Sequence, residues 1–294
     1  MLPNRTRLPR WTATEQLVSS RSAESLFWLG RYTERCELMV RLAKEALVLV
    51  STNQQDSLPA LNDAIAALGR LHGLIPEGTP SLTKDAAVFG RALITQLIQK
   101  DTRGLLDNLE LLEFSLKAVR DRLPAEHAEI AQVMKQMLMH NTVQPGLMGA
   151  SSAAKPRAKH LARVTVRNPI NTIEALDAIG IQLVALVGFQ ADRMTRDLGW
   201  HMLAAGRLIE RLVNLSGMLV AFFTHAAVDT PRGFETLLVL FDSSITYRIR
   251  YQRQQDISAL MDLLVTDATN PRSINCILQA LKGEIKYLPN GEVL

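Results

Sequence analysis

The chain has 294 residues, is 47% hydrophobic and 5% aromatic, and carries a formal net charge of +4. This length and apolar content are enough for one large core or two smaller ones, which excludes an intrinsically disordered chain. Arginine supplies 24 of the 33 basic residues. This bias favours pairing with carboxylates or phosphates over a general role in solubility.

The residue types indicate an all-α protein in a reducing compartment. Alanine, leucine and charged residues dominate and β-branched runs are short, so no strand is predicted. The two cysteines, Cys36 and Cys276, are too few for a disulfide framework. The N-terminus has no apolar segment of a secretory signal, and the uncharged run 212–228 is short for a membrane span. We therefore expect a cytoplasmic protein that does not enter the membrane.

The first part of the chain is predicted to be a tail followed by a helical half. Residues 1–19 are polar and rich in arginine and proline without periodicity, so they are interpreted as a flexible N-terminal tail or linker. The first helical half spans 20–140. Its predicted helices cover 20–49, 58–74, 81 or 83 to 100, 101 or 102 to 123, and 124–140.

A flexible basic linker, 141–167, is predicted to separate this half from a second one over 168–294. The linker has Gly, Ser, Ala and Pro with scattered Lys and Arg. The second half is predicted to contain helices at 168–194, 198–225, 234–253, 256–266 and 271–286. The first of these is apolar nearly all round, including Ile181 and Val184, so deep burial is expected. The predicted fold is a multi-helix up-and-down bundle built from two related halves.

A repeated motif suggests that the halves are related. Gly30-Arg31-x-x-Glu34-Arg35 recurs as Gly206-Arg207-x-x-Glu210-Arg211, and a tryptophan, Trp28 or Trp200, precedes each copy. On a helix, the three charges of each copy share one face.

The helix around the first copy has an apolar stripe beside this charged face. Residues at three-four spacing predict a core stripe: Leu26, Leu29, Thr33, Cys36, Val40, Ala43, Leu47 and Val50. The repeated motif then has two compatible interpretations. Its glycines and charges form a buried ionic network that fixes helix packing, or its arginines form a pocket for a carboxylate or phosphate. Flanking charges are expected to join the network: Arg21, Glu24, Arg196 and Asp197.

Two further segments of the second half are candidate binding sites. Tyr247, Arg250 and Tyr251 share one helical face, which is either a solvated face or a binding face. In the segment 267–273, which includes Asp267, Asn270 is predicted to be the N-cap of a helix opened by Pro271. Free backbone N–H groups beside Arg272 and Ser273 would also suit an anion.

Other classes of site find little support in the sequence. The six histidines do not combine with acids at ligand spacing, and no phosphate-binding glycine loop or nucleophile motif is found, so neither a metal nor a cofactor is expected. The basic segment 155–167 could touch nucleic acid, but it lacks interleaved aromatic residues and is better interpreted as a solvated linker.

In combination, the motifs resemble the alpha-E domain, an all-helical bacterial family. The resemblance runs from about residue 20 to the C-terminus and rests on four segments: residues 20–35, 194–211, 247–251 and 267–273. It implies that both halves pack as one domain, encoded beside or fused to an ATP-grasp amide ligase of the circularly permuted type, often near a transglutaminase-like protein. The family pattern is incomplete in the first half, where residues 101–106 replace the usual Asp-x-x-Asn-Pro-Ser-Ser turn. If the halves once held equivalent sites, the first is therefore expected to have lost part of its own.

Three functional hypotheses follow. The preferred one is a non-catalytic accessory module that presents a peptide or carrier substrate to the ligase through its Arg/Glu clusters. The alternative is an enzyme of amide or peptide chemistry with the same cluster as its active site. The third, nucleic-acid binding, depends on charge alone. The sequence does not exclude a homo-oligomer.

Overall fold

The computed structural model describes residues 18–52, 58–123, 126–142, 169–252 and 255–289. Within these ranges every regular element is helical, as predicted. Nearly all of the predicted basic linker, 141–167, and of the predicted tail lies outside them, as does Pro124, but residues 141 and 142 of that linker are helical. The α-helices are α1 Ser20–Ser51, α2 Pro59–Leu71, α3 Ala86–Ile98, α4 Leu105–Ala118, α5 Glu126–Thr142, α6 Pro169–Arg193, α7 Leu198–Thr224, α8 Pro231–Leu240, α9 Ser244–Tyr251, α10 Ile257–Met261 and α11 Ile274–Ile285.

Helix α1 is the centre of the fold. It packs against α7, α4 and α6, and the predicted core stripe from Leu26 to Leu47 is buried, while Val50 is half-buried. Thr33 tolerates full burial because its hydroxyl donates to the Leu29 carbonyl at 2.8 Å. The residues that follow the charged segment, Leu38 and Leu42, are also buried. Helix α1 therefore faces neighbours on several sides, and its charged segment lies against other helices.

The predicted starts of the third and fourth helices were wrong. Helix α3 begins at Ala86, because the Asp85 carboxylate accepts the Val88 N–H at 2.9 Å. Before α4, the Asp107 carboxylate accepts the backbone N–H groups of residues 101, 102 and 103 at 3.1, 2.8 and 2.8 Å. This carboxylate stabilises a turn in which Asp101 and Arg103 both have φ of 62°, so 101–104 is not helical. Helix α4 also ends earlier than predicted, at Ala118.

The predicted helix over 234–253 is in fact two helices, α8 and α9. The break lies at Asp242, which has a left-handed φ of 53°. The Ser243 N–H donates to the Leu238 carbonyl at 2.9 Å and closes the end of α8. No glycine or proline marks this break, and an aspartate is among the residues that tolerate the left-handed region best.

The last helix begins later than predicted, and Asn270 does not cap it. Helix α11 starts at Ile274, and the Ser273 hydroxyl accepts the Cys276 N–H at 3.0 Å. Asn270 is buried and fixes the preceding turn: its amide donates to the Leu263 carbonyl at 3.0 Å, and its carbonyl accepts the Arg272 N–H at 3.1 Å. The turn, and with it the direction of Arg272, is held by hydrogen bonds to a buried amide.

Replacing the true cap tests this assignment. Ser273→Ala removes the N-cap and also the hydrogen bond that Ser273 donates to the Asp267 carbonyl. We expect a loss of about 1 to 2 kcal/mol in the free energy of unfolding, measured by chemical denaturation. Ser20→Ala is the control, because Ser20 is exposed at the start of α1. Equal stability of the two variants would contradict the cap.

Helix α6 is less buried than predicted. It packs on α5 and α1 through Leu176, Ile179, Leu183 and Leu186, but the side chains of Ile181 and Val184 are 68% and 66% exposed. The described helices therefore cover only one side of the apolar surface of α6. By length and hydropathy α6 alone among the described helices could cross a membrane, and core helices of other proteins share that property. The cytoplasmic location stays a prediction.

Candidate functional site

Two glycines bring α1 and α7 into backbone contact. A Cβ atom on Gly30 would lie 2.2 Å from the Leu203 carbonyl oxygen, and one on Gly206 would lie 2.1 Å from the Phe27 carbonyl oxygen. Both distances are far below a van der Waals contact. Because Leu203 stands three residues before Gly206, as Phe27 does before Gly30, each helix makes the same approach to the other. Only glycine fits at these two positions.

The charged residues of the two motifs are exchanged between the helices. Glu34 of α1 accepts hydrogen bonds from Arg207 Nη2 at 3.0 Å and Arg211 Nε at 3.0 Å. Reciprocally, Glu210 of α7 accepts them from Arg31 Nε at 2.7 Å and Arg35 Nε at 2.8 Å. Each glutamate is thus held by the two arginines of the opposite motif.

In both clusters the carboxylate is buried and the guanidinium groups reach the surface. Glu34 and Glu210 are 2% and 4% exposed, whereas the four arginines are 14% to 27% exposed. Burial alone would raise the pKa of Glu34, but the charges of Arg211 and Arg207 lower this pKa to about 2. Glu34 is therefore ionised at neutral pH. Since two arginines share one carboxylate, each cluster has one positive charge in excess.

Arg272 extends the cluster around Glu34. Its Nη2 lies 2.7 Å from Glu37 Oε1 and its Nη1 lies 4.0 Å from Glu34. Glu37 also pairs with Arg41 at 2.8 Å, and Arg41 donates to the Leu240 carbonyl at the end of α8. Burial alone would lower the pKa of Arg272, but Glu37 and Glu34 raise this pKa above its ordinary value. The turn before α11 thereby joins the same ionic network.

The cluster around Glu210 has different neighbours. Arg35 Nη1 lies 3.5 Å from the side-chain carbonyl oxygen of Asn108 on α4. The imidazole of His72 is also close enough for its pKa to respond to Glu210 and Arg35. Burial is the main cause that lowers this pKa, to about 4, so His72 is neutral at neutral pH. Its Nε2 is buried and has no hydrogen-bond partner in the described part of the chain.

Aromatic rings of α1 support the arginines near Glu210. Trp28 and Tyr32 stack with ring centroids 5.5 Å apart. The guanidinium carbon of Arg31 lies 5.3 Å from the Trp28 centroid, and that of Arg35 lies 5.7 Å from the Tyr32 centroid. These cation–π contacts hold one face of each guanidinium group against the helix.

Four flanking residues that were expected to join the network do not. Arg21 and Glu24 are exposed and make no ion pair with any residue the structure describes. Arg196 covers the face of Trp200 at 3.6 Å and donates to the Ala191 carbonyl. Asp197 caps α7 and pairs with Arg122 at 2.8 Å. These residues lie near the starts of α1 and α7, before the helices approach each other, so their side chains turn to local partners.

The sequence analysis missed five contributors: Glu37, Arg41, His72, Asn108 and Asp242, the last 3.8 Å from Arg272. Glu37 and Arg41 could have been found, since they follow Glu34 on α1 at helical spacing. The other three come from distant turns and helices, and no spacing in the sequence connects them with the motif.

The two other predicted segments, 247–251 and 267–273, contact each other at a place away from the crossing of α1 and α7. Arg250 pairs with Asp267 and donates to the Thr269 hydroxyl at 2.9 Å, and the Tyr251 hydroxyl donates to Asp262 at 2.6 Å. Tyr247 is buried. Cavities of about 370 and 230 Å³ lie beside α9; Tyr247 lines the larger, and Arg250 and Tyr251 line the smaller. Arg250 therefore holds the turn that orients Arg272.

The described residues do not bring together groups suited to metal binding or nucleophilic attack at this site. Within the described ranges no three His, Cys, Asp or Glu side chains are placed to hold a metal ion. Cys36 lies next to Arg35, but burial raises the pKa of its thiol to about 12, so it is not an activated nucleophile. The basic segment 155–167 lies outside the described residues. What the site offers chemically is a set of partly exposed guanidinium groups above buried carboxylates, an arrangement suited to anion recognition.

Comparison with known proteins agrees with an all-helical domain. The Alpha-E family model, described as a predicted alpha-helical domain with a conserved ER motif, matches residues 18–293. The Glu-Arg pairs 34–35 and 210–211 fit that description. Uncharacterized proteins of Mycobacterium bovis and Mycobacterium tuberculosis are 29% identical over 306 aligned positions, which cover 98% of this chain and 32% of theirs. The chain thus spans about a third of the length of these relatives. No solved structure matches the chain.

Proposed function

The chain belongs to the Alpha-E family, and on that premise we propose that it is a non-catalytic helical module that acts with an ATP-grasp amide ligase. In this proposal the ligase binds ATP. The module holds carboxylates of the peptide or carrier substrate through its Arg/Glu clusters.

One observation carries the proposal: both buried glutamates are shared by two arginines, so positive charge is left over on guanidinium groups that reach the surface. A purely structural ion pair needs only as many arginines as carboxylates. An excess of arginine suits a carboxylate that arrives from another molecule.

The duplication forms part of the same proposal. Glu34 and Glu210 receive equivalent arginines, and the two glycines make equivalent backbone contacts, which supports two related halves. Helix α1 packs on α4, and α7 packs on α11, so each central helix has a later helix of its own half beside it. A duplicated unit that met a second copy of itself would give this arrangement.

The test is to purify the ligase with and without this chain and to measure amide-bond formation as ADP release. We expect the two proteins to co-elute and the rate to fall at least fivefold without the chain. Arg207→Ala is expected to lower the rate in the same direction, while Arg91→Ala, at an exposed position of α3, leaves it unchanged.

Circular dichroism must show that each variant remains helical. The proposal is overturned if the ligase rate is the same with and without the chain, or if the isolated chain itself turns over a peptide. The second result would support the alternative, an enzyme in its own right.

A further inference from the structure

The two ionic clusters are equivalent in sequence but not in their surroundings. Around Glu34, a third arginine, Arg272, packs beside Arg207 and Arg211 and is itself held by Glu37. Around Glu210, the described residues supply only Arg31 and Arg35 as ion-pair partners, and the neutral amide of Asn108 lies 3.5 Å from Arg35 Nη1. The cluster at Glu34 is closed by protein groups, and the cluster at Glu210 is more open.

Arg31 makes fewer hydrogen bonds to described residues than the other arginines of the two clusters. Arg35, Arg207 and Arg211 each direct at least one terminal nitrogen at a protein acceptor, and Arg272 directs both toward carboxylates. Arg31 donates only through Nε, to Glu210. Its Nη1 and Nη2 contact no acceptor among the described residues, although the side chain is only 23% exposed.

The orientation of Arg31 is nevertheless fixed. Glu210 holds its Nε edge at 2.7 Å, and the rings of Trp28 and Phe27 lie 5.3 and 5.9 Å from its guanidinium carbon. A side chain held at one edge and one face loses little further freedom when a ligand binds the remaining edge. The open edge carries two terminal amino groups at a fixed angle.

This edge matches a carboxylate. Two parallel N–H groups of a guanidinium bind the two oxygens of a carboxylate together. The charge agrees, because Arg31 and Arg35 share one glutamate and leave a single positive charge. A monoanion balances that charge, whereas a phosphate dianion would exceed it. His72 adds no positive charge, since burial lowers its pKa to about 4.

We infer that Arg31, with Arg35 beside it and Trp28 behind it, binds a carboxylate of a peptide, either its C-terminal group or an acidic side chain. This inference rests on the proposed function, and it assigns recognition to the cluster at Glu210 while the cluster at Glu34 fastens the helices.

The test uses the full chain and calorimetric titration with acetyl-Ala-Ala carrying a free C-terminal carboxylate. The comparison ligands are acetyl-Ala-Ala with a C-terminal amide, acetyl-Glu-amide and inorganic phosphate. We expect the free carboxylate, the acidic side chain or both to bind at least tenfold tighter than the amide, and tighter than phosphate. Which of the two carboxylates binds more tightly identifies the source.

Variants of Arg31 then locate the binding. Arg31→Gln is expected to weaken carboxylate binding at least tenfold. Arg31→Lys is expected to weaken it several-fold, because lysine keeps the positive charge but cannot offer two parallel N–H groups on a planar guanidinium. The matched control is Arg196→Gln: Arg196 also covers a tryptophan, but its ring partner lies outside the ionic clusters, so binding should be unchanged. If Arg31→Gln fails to fold, Arg31→Lys carries the comparison.

Three results overturn the inference: equal binding of the amide, tighter binding of phosphate, or unchanged carboxylate affinity of the folded Arg31 variants. The outcome is separable from that of the ligase test. If the chain co-elutes with the ligase but binds no peptide, the binding site is rejected and the role as a ligase module is supported. If the peptide binds through Arg31 but the chain has no effect on the ligase, the binding site is supported and the role as a ligase module is rejected.

Discussion

Gly206→Ala is expected to destabilise the protein strongly. The new Cβ would lie 2.1 Å from the Phe27 carbonyl oxygen and 3.0 Å from its carbon, both backbone atoms that no rotamer change can move. The helices α1 and α7 would have to separate, which also lengthens the hydrogen bonds to Glu34 and Glu210. We expect a loss of about 3 kcal/mol or more in the free energy of unfolding, measured by urea denaturation.

Gly188→Ala is the matched control for this substitution. Gly188 lies within α6, and a Cβ there would meet no atom within 4 Å. Since alanine favours the helical backbone, this variant should be more stable than the original protein by about 0.5 to 1 kcal/mol. Opposite signs for two glycine-to-alanine changes in helices would assign the effect to the crossing. A Gly206→Ala protein as stable as the original would contradict the close approach.

The sequence was sufficient to predict that these glycines and charges belong together. The repeat of Gly, Arg, Glu and Arg at fixed spacing placed the three charges of each copy on one helical face, and the apolar stripe of α1 predicted which side faces the core. Both predictions depend only on the geometry of a single helix. They hold wherever that helix is packed.

Features that depend on tertiary partners were missed or misassigned. The break at Asp242 has no proline or glycine, and it forms because α8 ends against the Arg41 side chain and Ser243 turns inward. Asn270 precedes a proline, as an N-cap residue often does, but its side-chain amide donates a hydrogen bond to the Leu263 carbonyl. Ser273 is the N-cap of α11 instead. The exposed side of α6 is set by which helices cover it. Arg41, Leu263 and the helices that cover α6 are not sequence neighbours of the residues whose structure they decide.

Glu34→Gln is the second change with a large expected effect, because it removes a buried charge and leaves three arginines beside a neutral amide. Glu34 is 2% exposed and contacts Arg207, Arg211 and Arg272. Breaking a buried ion pair from one side costs about 3 to 5 kcal/mol. We expect a loss of this size at pH 7, measured by urea denaturation. Glu24→Gln, at an exposed position of the same helix, should change stability by less than about 0.5 kcal/mol.

The pH dependence separates loss of charge from loss of packing. The pKa of Glu34 is about 2 in the folded protein and 4.5 in its unperturbed form, because Arg211 and Arg207 outweigh the effect of burial. A lowered folded-state pKa means that this carboxylate contributes its full stability above pH 4.5 and loses it as the pH falls toward 2. The difference in unfolding free energy between the original protein and Glu34→Gln should therefore be large at pH 7 and clearly smaller at pH 3. An equal difference at both values would mean that the amide disturbs packing and that the charge of Glu34 does not hold α1 against α7.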